Sequence, residues 1–296
     1  MNYYNEIKNK LIDNEITQRV KDYSKNKSNL NTYFEVGRLL TDAGKHYGES
    51  VVKEYAIKLT KDLGKKYDVS TLFKIRKFYQ VYSNPKMAPV VPQLSWSHYL
   101  QLITLNDINK INYYMSISIK YNLSKRQLQE KIKSKEYERL PEETKNKLVN
   151  HEEITVTDFV KNPVVIKNTF NTNEISEKML KQLILENLDS FLHELGDGFT
   201  YVGNEYKISL GNNFNYVDLL LFNYIYNCFT VVELKVTELK KEHIGQIEVY
   251  MNYIDKNVKK VTQDKTIGII IAKKDNKFVM EYCSNPKISN TSYVLE

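Results

Sequence analysis

The sequence predicts a two-domain chain in which an all-α domain precedes an α/β domain. Three observations carry that expectation. Apolar residues recur every three or four positions through the first 140 residues, the period of a helix face. From residue 171 a long amphipathic stretch gives way to strand-length apolar runs interrupted by one helical pattern. The charge also changes sign: residues 1–150 hold 27 Lys and Arg against 16 Asp and Glu, residues 151–296 hold 16 against 20.

A chain of 296 residues accommodates about two domains of ~100–200 residues each. At 42% hydrophobic residues, with 10 Gly and 6 Pro, it reads as globular rather than disordered. No window approaches the length of a membrane span, and the start, MNYYNEIKNKLIDNEI, lacks the apolar core of a signal peptide. Two cysteines, Cys228 and Cys283, are too few for a disulfide framework or a thiolate zinc site, so a reducing cytoplasm is expected. The 23 tyrosines suit cores and polar interfaces alike. Their excess alongside Asn, Lys and Ile reads most simply as codon bias. The basic front half is the electrostatic footprint of a polyanion binder, although a lysine-coated soluble surface looks the same.

The elements follow in order. Leu39, Leu40 and Ala43 share a face of a helix near 31–46 that stops at Gly44 or Gly48. Val51, Val52, Tyr55, Ala56 and Leu59 keep helical spacing up to Gly64. Ser70 reads as the cap of a helix through Leu72, Ile75, Phe78 and Tyr82, whose Lys74, Arg76 and Lys77 form a basic face able to lie along a phosphate backbone. Residues 50–83 fit either a helix-turn-helix-like reader or plain bundle packing. Prolines at 85, 89 and 92 mark a loop before the helix that LSWS opens, and Ser124 caps a further basic helix. These elements make up a basic helical domain over 1–140, expected to bind DNA. Pro141, Pro163 and scattered β-branched residues read as a linker over 141–170 with short extended pieces. The remainder, 171–296, opens with one amphipathic helix over 174–195 ended by Gly196 and Gly198. Strands are predicted at 200–209, 215–222, 230–236 and 266–272, with a helix over 241–254 linking the last two as a parallel pair.

The chemistry sits in the strands. Asp218 interrupts the apolar run YVDLLLF, and Glu233 and Lys235 stand two apart in VVELKV. Strand side chains alternate, so Glu233 and Lys235 share a face opposite Val232, Leu234 and Val236. Unpaired charges in buried-strand sequence are costly. Two arrangements relieve the cost. One is a structural ion pair of Lys235 with Glu233 or Asp218. The other is a divalent metal, Mg2+ or Mn2+, held by Asp218 and Glu233, with Lys235 near the attacking water or the phosphate. Glu186, on the preceding helix, reads as a third carboxylate reaching the same site or as a surface glutamate beside Lys181. Gln246 and Tyr250 are four apart on the following helix and share a face that either overhangs the strand end or stays on the helix surface.

Together these stretches resemble the PD-(D/E)xK nuclease superfamily, and within it the YhcG type, which joins a helical amino-terminal domain to a restriction-endonuclease-like domain. The resemblance is carried by LENLDSFLHELGDGFTYVG, YVDLLLF, VVELKV and GQIEVYMNYID, and in the helical half by YFEVGRLL, YGESVVKEYAIKLTKDL, LFKIRKFYQVY, LSWSHYLQLI and LSKRQLQEKI in that order. It implies a mixed central sheet and a metal-dependent endonuclease acting on DNA as a homodimer, in defence or recombination. Its site would comprise Glu186, Asp218, Glu233, Lys235, Gln246 and Tyr250, with Asp218 and Glu233 as metal ligands. Two departures stand out. Asn204-Glu205 replaces an Arg-Gln pair, removing an expected cation, and LKKEH lacks a proline before the GQ helix. The first leaves open a catalytically silent binding or assembly module; an RNA substrate is also compatible with the residues.

Overall fold

The computed structural model describes residues 3–19, 25–90, 92–150, 152–170 and 174–296, except the side chains of 16–19, 25, 26 and 65. The chain divides into two compact units, Met1–Tyr137 and Glu138–Glu296. None of the described helices is long and apolar enough to cross a membrane.

The first unit is helical: α1 (Tyr3–Arg19), α2 (Lys25–Tyr47), α3 (Val51–Leu63), α4 (Val69–Tyr82), α5 (Trp96–Leu102), α6 (Ile108–Lys120) and α7 (Lys125–Lys133). Helix α2 crosses α4 at Gly37, where a Cβ would sit 2.5 Å from the Ile75 carbonyl oxygen and 2.6 Å from Tyr79 Cβ. Only glycine permits that approach. Around the crossing, Phe78 packs edge-on against Trp96 and Tyr99 with ring centroids 5.2 Å apart. Tyr67, Tyr99 and Tyr114 are fully buried, so part of the tyrosine complement serves the core. A buried hydroxyl needs a partner, and Tyr67 donates to Glu15 at 2.7 Å.

Two local expectations are corrected here. The cap of α4 is Asp68, whose carboxylate accepts from the Thr71 N–H at 2.7 Å, rather than Ser70. Arg76 does not belong to an exposed basic face. It is 8% exposed, and its guanidinium holds both oxygens of Glu49. Lys74 and Lys77 remain exposed. With Leu72, Ile75 and Phe78 buried, position 76 falls at the margin of the apolar stripe. A long stem lets arginine bury there while its head reaches a carboxylate.

The second unit comprises α8 (Glu142–Asn150), β1 (Val164–Ile166), α9 (Glu177–Glu186), α10 (Leu188–Leu195), β2 (Phe199–Leu210), β3 (Asn213–Asn223), β4 (Cys228–Glu238), α11 (Lys241–Asn257), β5 (Asp264–Lys274), α12 (Lys277–Glu281) and β6 (Ile288–Leu295). The strands form one mixed sheet in the order β1-β6-β5-β4-β3-β2. Strands β1, β6, β5 and β4 run parallel, and β3 and β2 are antiparallel additions. One face packs Val232, Leu234, Ile269 and Ile271 against α9 and α10. The other packs Val231, Leu220 and Ile270 against Ile247, Met251 and Ile254 of α11. Helix α11 lies close enough to β5 that a Cβ on Gly268 would meet Met251 Sδ at 2.7 Å.

Residues 141–170, read as a linker, are built into this unit. A carboxylate far along the chain holds them. Glu194 of α10 accepts from both terminal nitrogens of the Arg139 guanidinium and from the Val165 N–H at 2.9 Å. Lys161 lies 3.8 Å away. Burial alone would raise the Glu194 carboxyl, but the Arg139 and Lys161 charges hold it below its usual range. The boundary drawn at 170/171 abuts residues 171–173, which lie outside the described residues. The helix expected over 174–195 is two helices. The chain leaves helical geometry at Asn187 (φ −125°, ψ 38°), whose side-chain amide donates to the Leu183 carbonyl at 3.3 Å. Such side-chain competition for backbone groups makes asparagine a helix breaker.

Candidate active site

Strands β3 and β4 pair from Asn223↔Cys228 to Leu219↔Val232, and the ladder then stops. The next residue on β3 is Asp218. Its Oδ2 accepts the Leu234 N–H at 3.0 Å, so the side chain occupies the place a strand carbonyl would fill. The opening between the two strands therefore leaves that amide satisfied and plants a carboxylate beside β4. Glu233 and Lys235 lie on the α11 side of β4, as alternation requires, because Val232 and Leu234 belong to the opposite core.

Glu233 is 2% exposed. Its Oε2 faces Lys235 Nζ at 3.3 Å, while its Oε1 is buried with no hydrogen-bond partner among the described residues. Burial, and secondarily the Asp218 charge, push the Glu233 carboxyl up to about 7 against the pull of Lys235. Lys235 itself is 13% exposed. Burial works against its charge, but Glu233, Glu177 and Asp218 outweigh it and hold the ammonium protonated.

Not every expected residue arrives. Glu186 is exposed at the end of α9, accepting from Gln182 at 2.9 Å and Thr169 at 3.1 Å. The α9 carboxylate that acts on Lys235 is Glu177. Nine residues at about 100° each place these two glutamates on opposite faces of the helix. Gln246 donates to the Tyr250 hydroxyl at 2.8 Å, and Tyr250 is packed in the α11 core. They bond to each other rather than to the carboxylates. One turn earlier on that face stands His243, 8% exposed, with burial and the Lys235 charge lowering its proton affinity.

The role of one further group, Lys181, escaped the sequence reading. Lys181 Nζ donates to Asp218 Oδ1 at 3.0 Å and to Glu205 Oε1 at 2.8 Å. A cation thus stands beside Asp218 after all, from α9 instead of β2. The legible signal was the i,i+4 spacing of Glu177 and Lys181, which puts both on one face. Among the described residues no three Asp, Glu, His or Cys converge on one point; the ion pairs join the carboxylates of Asp218, Glu205 and Glu233 to the ammonium groups of Lys181 and Lys235.

Residues 157–294, which include all of these groups, match the family model described as the YhcG PDDEXK nuclease domain. Residues 8–139 match the DUF1016 N-terminal domain. The chain belongs to the YhcG-type PD-(D/E)xK nuclease family. A YhcG relative, named "Putative nuclease YhcG" in Escherichia coli (strain K12), is 24% identical over 307 residues, covering 88% of this chain and 80% of that protein. Two solved structures also align with parts of this YhcG-family chain. One is a repair endonuclease from Pyrococcus abyssi at 18% identity and TM-score 0.29, covering 43% of this chain and 49% of that one. The other is an EndoMS complex with double-stranded DNA at 19% identity and TM-score 0.29, covering 44% and 48%. The YhcG-family chain spans about half the length of each, a likeness too loose to bear on its chemistry.

The buried Glu233 carries a consequence for stability. An acid whose proton affinity is raised on folding stabilises the fold fully below its ordinary value and loses that contribution as pH rises through the folded value. With 4.5 as the ordinary value and about 7 in the fold, the metal-free protein is expected to lose about 3 kcal/mol between pH 5 and 8 from this group alone. Glu233→Gln is expected to flatten the fall. Urea unfolding in EDTA at the two pH values, followed by circular dichroism, measures it; equal pH slopes for both proteins would refute it.

Proposed function

We propose that this chain is a divalent-metal-dependent endonuclease that hydrolyses phosphodiester bonds of DNA, with Asp218 and Glu233 holding the ion and Lys235 serving the reaction. The observation that carries the reading is the buried Glu233 carboxylate, whose Oε1 has no hydrogen-bond partner of good geometry among the described residues. Burying such an oxygen is expensive, and the Asp218 charge already acts on the same carboxylate. Hard oxygen donors of this kind fit Mg2+ or Mn2+, which accept two carboxylates and take the rest of their shell from water and phosphate. Bound there, the ion would supply Lewis-acid chemistry: activation of a water and neutralisation of charge on the phosphate.

The chain's own residues account for the remaining requirements. Asp218 is fixed by the Leu234 amide, so its position is set by the sheet. Glu233 is fixed by burial and by Lys235. Lys235 keeps its proton, which suits it to stabilise negative charge on a phosphate oxygen rather than to abstract a proton. The test is cleavage of plasmid DNA and, in parallel, structured RNA by the full chain with Mg2+ or Mn2+. Cleavage of DNA that stops on chelation and returns with either ion supports the proposal. Activity undiminished by EDTA would overturn it, and cleavage confined to RNA would replace the substrate.

The helical unit is proposed to contribute duplex affinity through the exposed Lys74 and Lys77. Removing one lysine that pairs with a phosphate lowers the dependence of log affinity on log salt by about 0.9. Lys74→Ala with Lys77→Ala is therefore expected to weaken duplex binding and reduce the slope by roughly 2. Arg76→Ala should leave the slope unchanged, because its guanidinium is committed to Glu49. An unaltered slope in the double variant would remove these lysines from the interface.

A further inference from the structure

We propose that Lys181 is a displaceable cation guarding Asp218: its ammonium occupies the carboxylate oxygen a divalent ion needs, and transfers fully to Glu205 when the ion binds. The inference deepens the reading above and rests on Asp218 and Glu233 being the cation-holding pair.

Each oxygen of Asp218 already accepts one hydrogen bond. Oδ2 is committed to the Leu234 amide and Oδ1 to Lys181. The first bond belongs to the strand junction, and giving it up would orphan a buried N–H. The second is made by a flexible four-carbon stem that can swing without disturbing the backbone. Its second partner is already in place, since Glu205 Oε1 lies 2.8 Å from the same nitrogen. Glu205 stands between the Asn204↔Leu219 and Tyr206↔Val217 pairs, directly across β2–β3 from Asp218. It is 58% exposed where Asp218 is 17% exposed, so the ammonium has an outer and an inner anchor. Without an ion, Lys181 balances two carboxylates. With an ion on Asp218 and Glu233, repulsion drives the ammonium outward, and Glu205 receives it. The Glu205 carboxylate, which at first reads as the loss of an expected cation, thus acts as the receiving anchor.

The two anchors predict effects of opposite sign on metal affinity. Calorimetric titration of the full chain with Mn2+ at fixed pH and ionic strength is the measurement. Lys181→Met is expected to bind Mn2+ about tenfold tighter than the wild type, the equivalent of one partly buried charge contact. Glu205→Gln is expected to bind roughly threefold weaker, because the displaced ammonium no longer has a resting place. In the Lys181→Met background the added Glu205→Gln should do nothing, since there is no ammonium to receive. Lys178→Met makes the same charge change one turn away and should alter affinity less than about twofold. An unchanged or weaker affinity in Lys181→Met overturns the guard, as does an equal gain in Lys178→Met or additivity in the double variant. Asp218→Asn separates this from the underlying reading. If it binds Mn2+ like the wild type, the metal assignment fails; if it loses Mn2+ while Lys181→Met stays at the wild-type affinity, only the guard fails.

Discussion

Lys235→Met is expected to lower phosphodiester cleavage about 10²–10³-fold, the cost of removing one preorganised charge from a water-poor site, while leaving Mn2+ affinity at or above the wild-type level. The two readouts separate because Lys235 repels a cation on Glu233 even as it stabilises charge on the phosphate. Its 13% exposure and its 3.3 Å contact with Glu233 fix it in place. The comparison should be made near pH 8.5, because the Glu233 value of about 7 already includes the downward pull of Lys235, and removing the lysine raises it further. Asp218→Asn, by contrast, is expected to lose cleavage and Mn2+ binding together. Its amide could still meet the Leu234 N–H but not serve as an anionic donor. Cleavage by Lys235→Met within about threefold of the wild type would reduce the lysine to a structural counter-ion of Glu233.

Glu194→Ala is expected to have the largest effect on stability. The carboxylate is 14% exposed and the Arg139 guanidinium 11%. Removing the carboxylate of such a pair costs about 3–5 kcal/mol, although the Pro163 carbonyl still accepts from Arg139 at 3.0 Å. The Val165 N–H of β1 would lose its acceptor in the same stroke. Loosening is expected first in β1 and its neighbour β6, read as faster hydrogen exchange at Val164–Ile166 and Ile288–Leu295. Trp96 is the chain's one tryptophan and lies in the helical unit, so its fluorescence transition should stay at the wild-type position and serve as the internal control. Unchanged exchange in β1 and β6 would show that packing, not this ion cluster, holds the 138–170 segment.

The residues that sequence reading placed well are those whose role follows from local periodicity. Glu233 and Lys235 are two apart on a strand, so their shared face was fixed before any fold was known. The parallel pairing of β4 with β5 followed from the helix between them. The residues it misplaced are those whose partners are distant in the chain. Arg76 lies in a run of basic residues, and only the approach of Glu49 from 27 positions earlier turns it into a buried ion pair. Glu186 had the better apolar surroundings in sequence, yet Glu177 acts on Lys235, because the rotation of α9 about its axis is set by Leu180, Leu183 and Ile184 entering the core. The strand β1 is three residues long and pairs with β6 about 130 residues later, too short to be read without that partner.

By itself, then, the sequence determined the class of each half and the shared strand face of Glu233 and Lys235, and it singled out Asp218 as a charge in an apolar strand, since helix and strand periods are local properties. Only the tertiary structure decided what stands around the trio. The break in the β3–β4 ladder that lets Asp218 take the Leu234 amide, the stranded Glu233 oxygen, and Lys181 shared between Asp218 and Glu205 all depend on side chains brought together across 16 to 37 positions. Hydrogen bonds and ion pairs act over a few ångströms, and where the backbone places those few ångströms is settled by the whole core at once.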